Sequence, residues 1–144
     1  MGIDSNAENL AEISRKAARK PARGGAKNAM FVRASVEALP EELAGLAARV
    51  TILLPWGSLL RALAEPDPAV LAGVRGLCRA GASLEVVMSV DGLGDVLPGY
   101  RDAGFAAAIA PLPIAEVRRL GTTWASRLAF GRPRSFWRIS AIAI

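Results

Sequence analysis

Three groups of residues in this chain could do chemistry. Leu54-Pro-Trp-Gly57 sets an aromatic ring between a proline and a glycine at the end of an apolar run. Residues 122–136, Thr-Thr-Trp-Ala-Ser-Arg-Leu-Ala-Phe-Gly-Arg-Pro-Arg-Ser-Phe, carry Trp124 among Arg127, Arg132 and Arg134. An indole plane beside guanidinium groups suits an unstacked nucleobase and its phosphate, since the ring stacks on the base and the guanidinium forks onto phosphate oxygens. A plainer role exists for each: a Trp beside Pro-Gly can anchor a core, and an arginine run can be a solvated face. The third group is Arg15, Lys16, Arg19 and Lys20, which recur at i, i+4 on one helical face and are followed by Arg23, forming a compact positive ridge.

Asp4 stands just before a predicted helix start. There an acid caps the helix and meets its dipole, or, at the carboxyl end of a strand, accepts the ribose hydroxyls of an adenosine ligand. The chain has no histidine and one cysteine, Cys78. That removes Ser-His-Asp and Cys-His nucleophilic machinery, most zinc sites and any internal disulfide, so no metal is expected and a reducing cytoplasm is. Cys78 itself reads as a small buried hydrophobe within a helix.

The elements that must position these groups alternate. Ser5-Asn-Ala-Glu8 predicts a capping box with Ser5 as N-cap, opening a helix to about Lys20 with Leu10, Ile13 and Ala17 on its apolar side; Pro21 and Gly24-Gly25 end it. Apolar runs predict strands over 29–34, 50–54, 84–88 and 137–144, with a weaker one at 106–109, and Trp137 packs in the last. Helical patterns fall at 40–48, 58–64, 68–79 and 96–103. Strands alternating with helices predict an α/β sheet covered on both faces. Asp91-Gly-Leu-Gly-Asp95 reads as a turn.

Length and charge bound the rest. At 144 residues the chain is one domain, 1–144, and its longest charge-free run, Ala103 to Ala115, is 13 residues broken by two prolines. A membrane-spanning helix needs about 20, and no apolar leader opens the chain. Net charge is +5, unevenly spread: residues 1–33 hold seven Lys/Arg against three acids, residues 34–114 five against nine, and residues 115–144 six against one. Two basic ends around an acidic middle suggest a surface facing a polyanion.

On residues 2–25, 34–57 and 121–138 the chain resembles one family, the 16S rRNA methyltransferases that modify N1 of adenine 1408 and confer aminoglycoside resistance. The resemblance implies a Rossmann-like class I methyltransferase fold, S-adenosylmethionine as cofactor and the 30S subunit as partner, with a monomeric, cytoplasmic enzyme acting without metal or membrane. It implies that Asp4 and Glu37 bind the adenosine moiety and that Pro55 and Thr122 lie beside the cofactor. Trp56 and Trp124 would sandwich the extruded adenine, with Thr122 orienting Trp124 and Arg134 clamping the neighbouring phosphate. Arg127 and Arg132 would support the backbone, while Arg15, Lys16, Arg19, Lys20 and Arg23 dock on folded rRNA. Measured against that family, Gly2-Ile-Asp4 falls where its second strand ends, so the fold is expected to be N-terminally truncated, without the first strand, the Gly-rich loop and most of the second strand. The absent strands would lie between the third and fourth, leaving two open edges and marginal stability. A non-catalytic rRNA-binding remnant of such an enzyme is the alternative.

Overall fold

The structure is a computed structural model that describes residues 1–120 and 135–144. The chain divides into two compact units, Met1–Glu42 and Leu43–Ile144.

The first unit holds β1 (Gly2–Asp4), α1 (Ala7–Ala17), a 3-10 turn at Pro21–Arg23 and β2 (Phe31–Arg33). β1 and β2 pair in parallel, Gly2 with Phe31 and Asp4 with Arg33. The helix start corrects the expected cap. Asn6, not Ser5, is the N-cap, and its side-chain oxygen accepts from the Glu8 N–H at 2.9 Å. The helix also stops at Ala17, short of Lys20. Gly24 turns left-handed at φ 78°, and the Ala26 N–H returns to the Ala17 carbonyl at 2.8 Å. A Cβ at Gly25 would fall on the Arg19 carbonyl, so only glycine lets the loop close there. Ile13, expected on the apolar side, is exposed, and no residue of this unit is fully buried.

The second unit is a four-stranded mixed sheet in the order β3-β4-β6-β5. Its elements are β3 (Ala47–Leu53), α2 (Gly57–Ala64), α3 (Pro68–Leu77), β4 (Cys78–Ser89), α4 (Leu97–Asp102), β5 (Phe105–Pro111), α5 (Ile114–Arg119) and β6 (Phe136–Ala143). β3 and β4 run parallel, and β6 lies antiparallel between β4 and β5. Four expectations change. The predicted helix over 40–48 is a 3-10 turn at Glu41–Leu43 and the start of β3; Cys78 opens β4 instead of ending a helix; the weak strand at 106–109 is the full-length β5; and α5 is an additional helix. Gly81, left-handed at φ 74°, lies within the long β4, where the β3–β4 register also shifts.

Helices α2, α3 and α4 bring Leu63, Val70, Leu71, Val74, Leu77 and Tyr100 to the core, and the sheet brings Leu84, Val86, Met88, Phe105 and Ile139. Tyr100 is fully buried; its hydroxyl donates to the Leu63 carbonyl at 3.2 Å, which satisfies its one polar atom. A chain of ions crosses the sheet: Arg49 meets Glu85 at 3.0 Å, Glu85 meets Arg138 at 3.1 Å, and Arg138 meets Glu116 of α5 at 3.3 Å. Among the described residues β1 pairs only with β2, and β3 only with β4; the edge of the third strand, here β2, expected to be open, is instead taken by β1.

Candidate cofactor and nucleic-acid site

In the first unit, Asp4 ends β1 and Glu37 lies in the turn after β2, at the carboxyl end of two adjacent parallel strands, the place where open α/β sheets bind ligands. Asp4 Oδ1 accepts from the Asn6 N–H at 2.7 Å, and Oδ2 from the Asn9 side-chain amide at 3.0 Å. The carboxylate is thereby fixed at the start of α1, with further lone pairs on both oxygens. Glu37 sits in the turn after β2, exposed and without an ion partner among the described residues.

The basic ridge lies on the same unit. Arg15, Lys16, Arg19, Lys20 and Arg23 are all exposed. Lys16 pairs with Glu12 at 2.7 Å and holds that carboxyl below its ordinary value through the hydrogen bond and its charge. Where the loop folds back on α1, an open groove of 860 Å³ is lined by Ala17, Arg19, Lys20, Pro21, Lys27 and Phe31. Its lining mixes small apolar residues with three cations, a combination suited to a phosphate backbone and its sugars.

In the second unit, β3 ends at Leu53 and the chain kinks. Leu54 has φ 50°, left-handed for a branched side chain, at a cost of about 1–2 kcal/mol. Its N–H still donates to the Val87 carbonyl at 2.7 Å, as if the ladder continued one residue further. Pro55 follows, Trp56 is extended at φ −142° and ψ 171°, and Gly57 turns left-handed at φ 62° to open α2. Trp56 is 76% exposed, so it does not anchor the core. Beside it a groove of 510 Å³ is lined by Gly57, Leu60, Arg61, Val90, Gly92 and Gly94, which brings Asp91-Gly-Leu-Gly-Asp95 to the same strand end. Trp137, by contrast, is a half-buried strand residue opposite Met88 and Pro111.

Thr122, Trp124, Arg127, Arg132 and Arg134 lie outside the described residues. On one side of that segment stands Leu120; on the other, Ser135 accepts from the Val90 N–H at 3.1 Å and Phe136 from the Leu112 N–H at 2.8 Å. Sequence reasoning missed Leu54, since leucine gives no signal for a left-handed turn. It also missed Arg61, which reads as an ordinary helix residue until α2 sets it beside the groove.

A parallel pair of strands and a mixed sheet with its next-to-edge strand reversed define a Rossmann-like α/β protein of the methyltransferase type. The family model "NpmA: 16S rRNA (adenine(1408)-N(1))-methyltransferase" matches residues 1–98. A 16S rRNA (adenine(1408)-N(1))-methyltransferase from Escherichia coli is 35% identical over 97% of this chain and 74% of the relative. Among solved structures, an antibiotic-related methyltransferase superposes with a TM-score of 0.89 at 37% identity, covering 99% of this chain and 75% of the other. A variant of the corresponding enzyme from Catenulisporales acidiphilia, solved with its cosubstrate SAM, gives 0.85 at 26% identity over 99% of this chain and 74% of the other. This chain belongs to the 16S rRNA (adenine(1408)-N(1))-methyltransferase family.

Proposed function

We propose that this chain serves the transfer of a methyl group from S-adenosylmethionine to N1 of adenine 1408 in the 16S rRNA of the 30S subunit, the modification for which its relatives are named, with aminoglycoside resistance as the consequence. The observation that carries this reading is Trp56, a large aromatic held in solvent at the end of β3 by a strained backbone. A backbone outlier next to an exposed aromatic is the kind of strain that clusters at ligand sites, and it supports this reading.

When bound, S-adenosylmethionine supplies a methyl group on a positively charged sulfur. N1 of adenine is already nucleophilic, so the chain's task is orientation more than proton removal. Asp4 and Glu37 hold the adenosine end, and Pro55 shapes the cofactor's side of the strand end. Trp56 stacks on one face of the extruded base and Trp124 on the other, with Thr122 orienting Trp124 and Arg134 holding the adjacent phosphate. Arg127 and Arg132 add backbone contacts. Arg15, Lys16, Arg19, Lys20 and Arg23 dock on the rRNA by its phosphates and shape. The transfer calls for no metal and no second copy of the chain, and it takes place where 30S subunits are, in the cytoplasm. Among the described residues no helix is long and apolar enough to cross a membrane.

Radiolabelled methyl incorporation into 30S subunits tests the reading. Trp56→Ala is expected to slow transfer about 10- to 100-fold, the loss of one stacked face. An unchanged rate overturns the base-platform assignment. One observation favours the second reading, an rRNA-binding module without transfer: both oxygens of Asp4 already accept hydrogen bonds, from the Asn6 N–H and the Asn9 side-chain amide. Calorimetric titration with S-adenosylmethionine separates the two, because that module binds 30S subunits and gives no heat with the cofactor.

A further inference from the structure

Among the described residues Leu54 is the one non-glycine residue with a positive φ, and it immediately precedes Pro55 and Trp56. Its side chain packs on a small apolar cluster made of Val87 of β4, Leu112 just after β5, Val117 of α5 and Phe136 of β6, all of them buried. Leu120, at the end of α5, packs on the same cluster. Three observations therefore meet at one residue: an unfavourable backbone, a strand-like hydrogen bond to Val87, and an anchored side chain.

From these we infer that Leu54 is a positioning residue for Trp56, a role that rests on the reading of Trp56 as the base platform. Left to itself, an indole beside Leu59 and Leu60 would fold down and remove apolar surface from water. The left-handed turn at Leu54 leads the chain off the sheet and holds Trp56 out, where an extruded base can stack. The turn persists because the apolar cluster keeps hold of the leucine side chain. The same cluster grips α5 and the start of β6, which flank residues 121–134. Leu54 thereby ties the Pro-Trp-Gly turn to the two elements from which the Trp124 segment departs in sequence.

The test uses the full chain labelled with fluorotryptophan, its three tryptophans assigned by Trp→Phe substitutions. Leu54→Gly accepts the left-handed turn and deletes the anchor; Leu54→Met keeps an apolar anchor. In the parent chain the Trp56 fluorine signal is expected to be single, with the solvent-isotope shift of an exposed ring. In Leu54→Gly it broadens or splits and loses part of that shift, Trp137 stays unchanged, and Leu54→Met restores the parent signal. Methylation of 30S subunits then falls about tenfold or more in kcat for Leu54→Gly, with KM for S-adenosylmethionine unchanged. A Leu54→Gly chain that only melts at a lower temperature, its Trp56 signal and kcat intact, overturns the inference. If Leu54→Gly moves the Trp56 signal while Trp56→Ala methylates normally, the positioning stands and the base-platform reading falls.

Discussion

Trp56 and Trp137 are the same residue type at the same end of one sheet, and their surroundings give them opposite uses. Trp137 lies in β6 as its strand pattern led us to expect, and Trp56 stands in water. The sequence could not separate core anchor from platform for Trp56, because both put an aromatic next to Pro-Gly. The 76% exposure of Trp56 excludes the core anchor, and beside it stands the left-handed Leu54, whose side chain packs on Val87, Leu112, Val117 and Phe136. Asp4 was left open between cap and ligand in the same way; the cap is Asn6, and the bonds of Asp4 to Asn6 and Asn9 fix its carboxylate at the start of α1 with lone pairs to spare. Buried titratable groups yield a prediction at this scale. Burial raises the Cys78 thiol above its ordinary value of 9.0, partly offset by Arg75, and burial also pushes the Tyr100 phenol up. Both groups are neutral in the fold, so their contributions are complete below the unfolded values and are lost as pH climbs from those values toward the folded ones. Urea midpoints are expected to hold at neutral pH and fall above about pH 9. Cys78→Ala should flatten the first part of that fall; an identical profile in the variant would assign it elsewhere.

At the scale of elements, local signals read well where they were strong and failed where pairing overrode them. Asp67-Pro68 opens α3 as caps predict: Asp67 Oδ1 accepts from the Ala69 and Val70 N–H groups at 2.9 and 3.0 Å, and Pro68 fills the first helical position. Residues 40–48 are mostly good helix formers, yet Ala47 pairs with Cys78 and Val50 with Leu84, so sheet formation outweighs propensity. The reach of β4 back to Cys78 was invisible because Gly81 interrupts any apolar pattern. Since α3 carries Val70, Leu71, Val74 and Leu77 into the core, its cap matters to the whole second unit. Asp67→Ala is expected to cost about 1 kcal/mol, read as a lower urea midpoint with unchanged slope, and Asp67→Ser should recover most of it. The ridge has its own local requirement at Gly25, where the loop meets the Arg19 carbonyl. Gly25→Ala is expected to weaken 30S binding while leaving the second unit's unfolding transition in place. If binding is unaffected, the loop's closure does not set the ridge.

At the scale of the whole molecule, the charge layout was legible and its spatial outcome was only partly so. Of seven cations against three acids in residues 1–33, five form the exposed ridge: Arg15 and Lys16 on α1, and Arg19, Lys20 and Arg23 in the loop that folds back after Ala17. An exposed ridge that meets phosphates releases counterions, and each contact adds about 0.7–0.9 to the slope of log K against log salt. The cations are not equivalent. Lys16 is paired with Glu12 at 2.7 Å, so leaving it for a phosphate strands a carboxylate beside the RNA. An exposed pair of this kind is worth little in itself, but the repulsion it uncovers subtracts from the gain. Arg19 has no ion partner among the described residues and lines the groove beside α1. Arg19→Gln is therefore expected to lower the salt slope of 30S binding by nearly one full contact, and Lys16→Gln by distinctly less. Glu12→Gln should move the other way, strengthening binding at low salt. The order Arg19 above Lys16, with Glu12 reversed in sign, follows from one ion pair on one helix. A slope that ignores all three substitutions would mean that the RNA is held by another face.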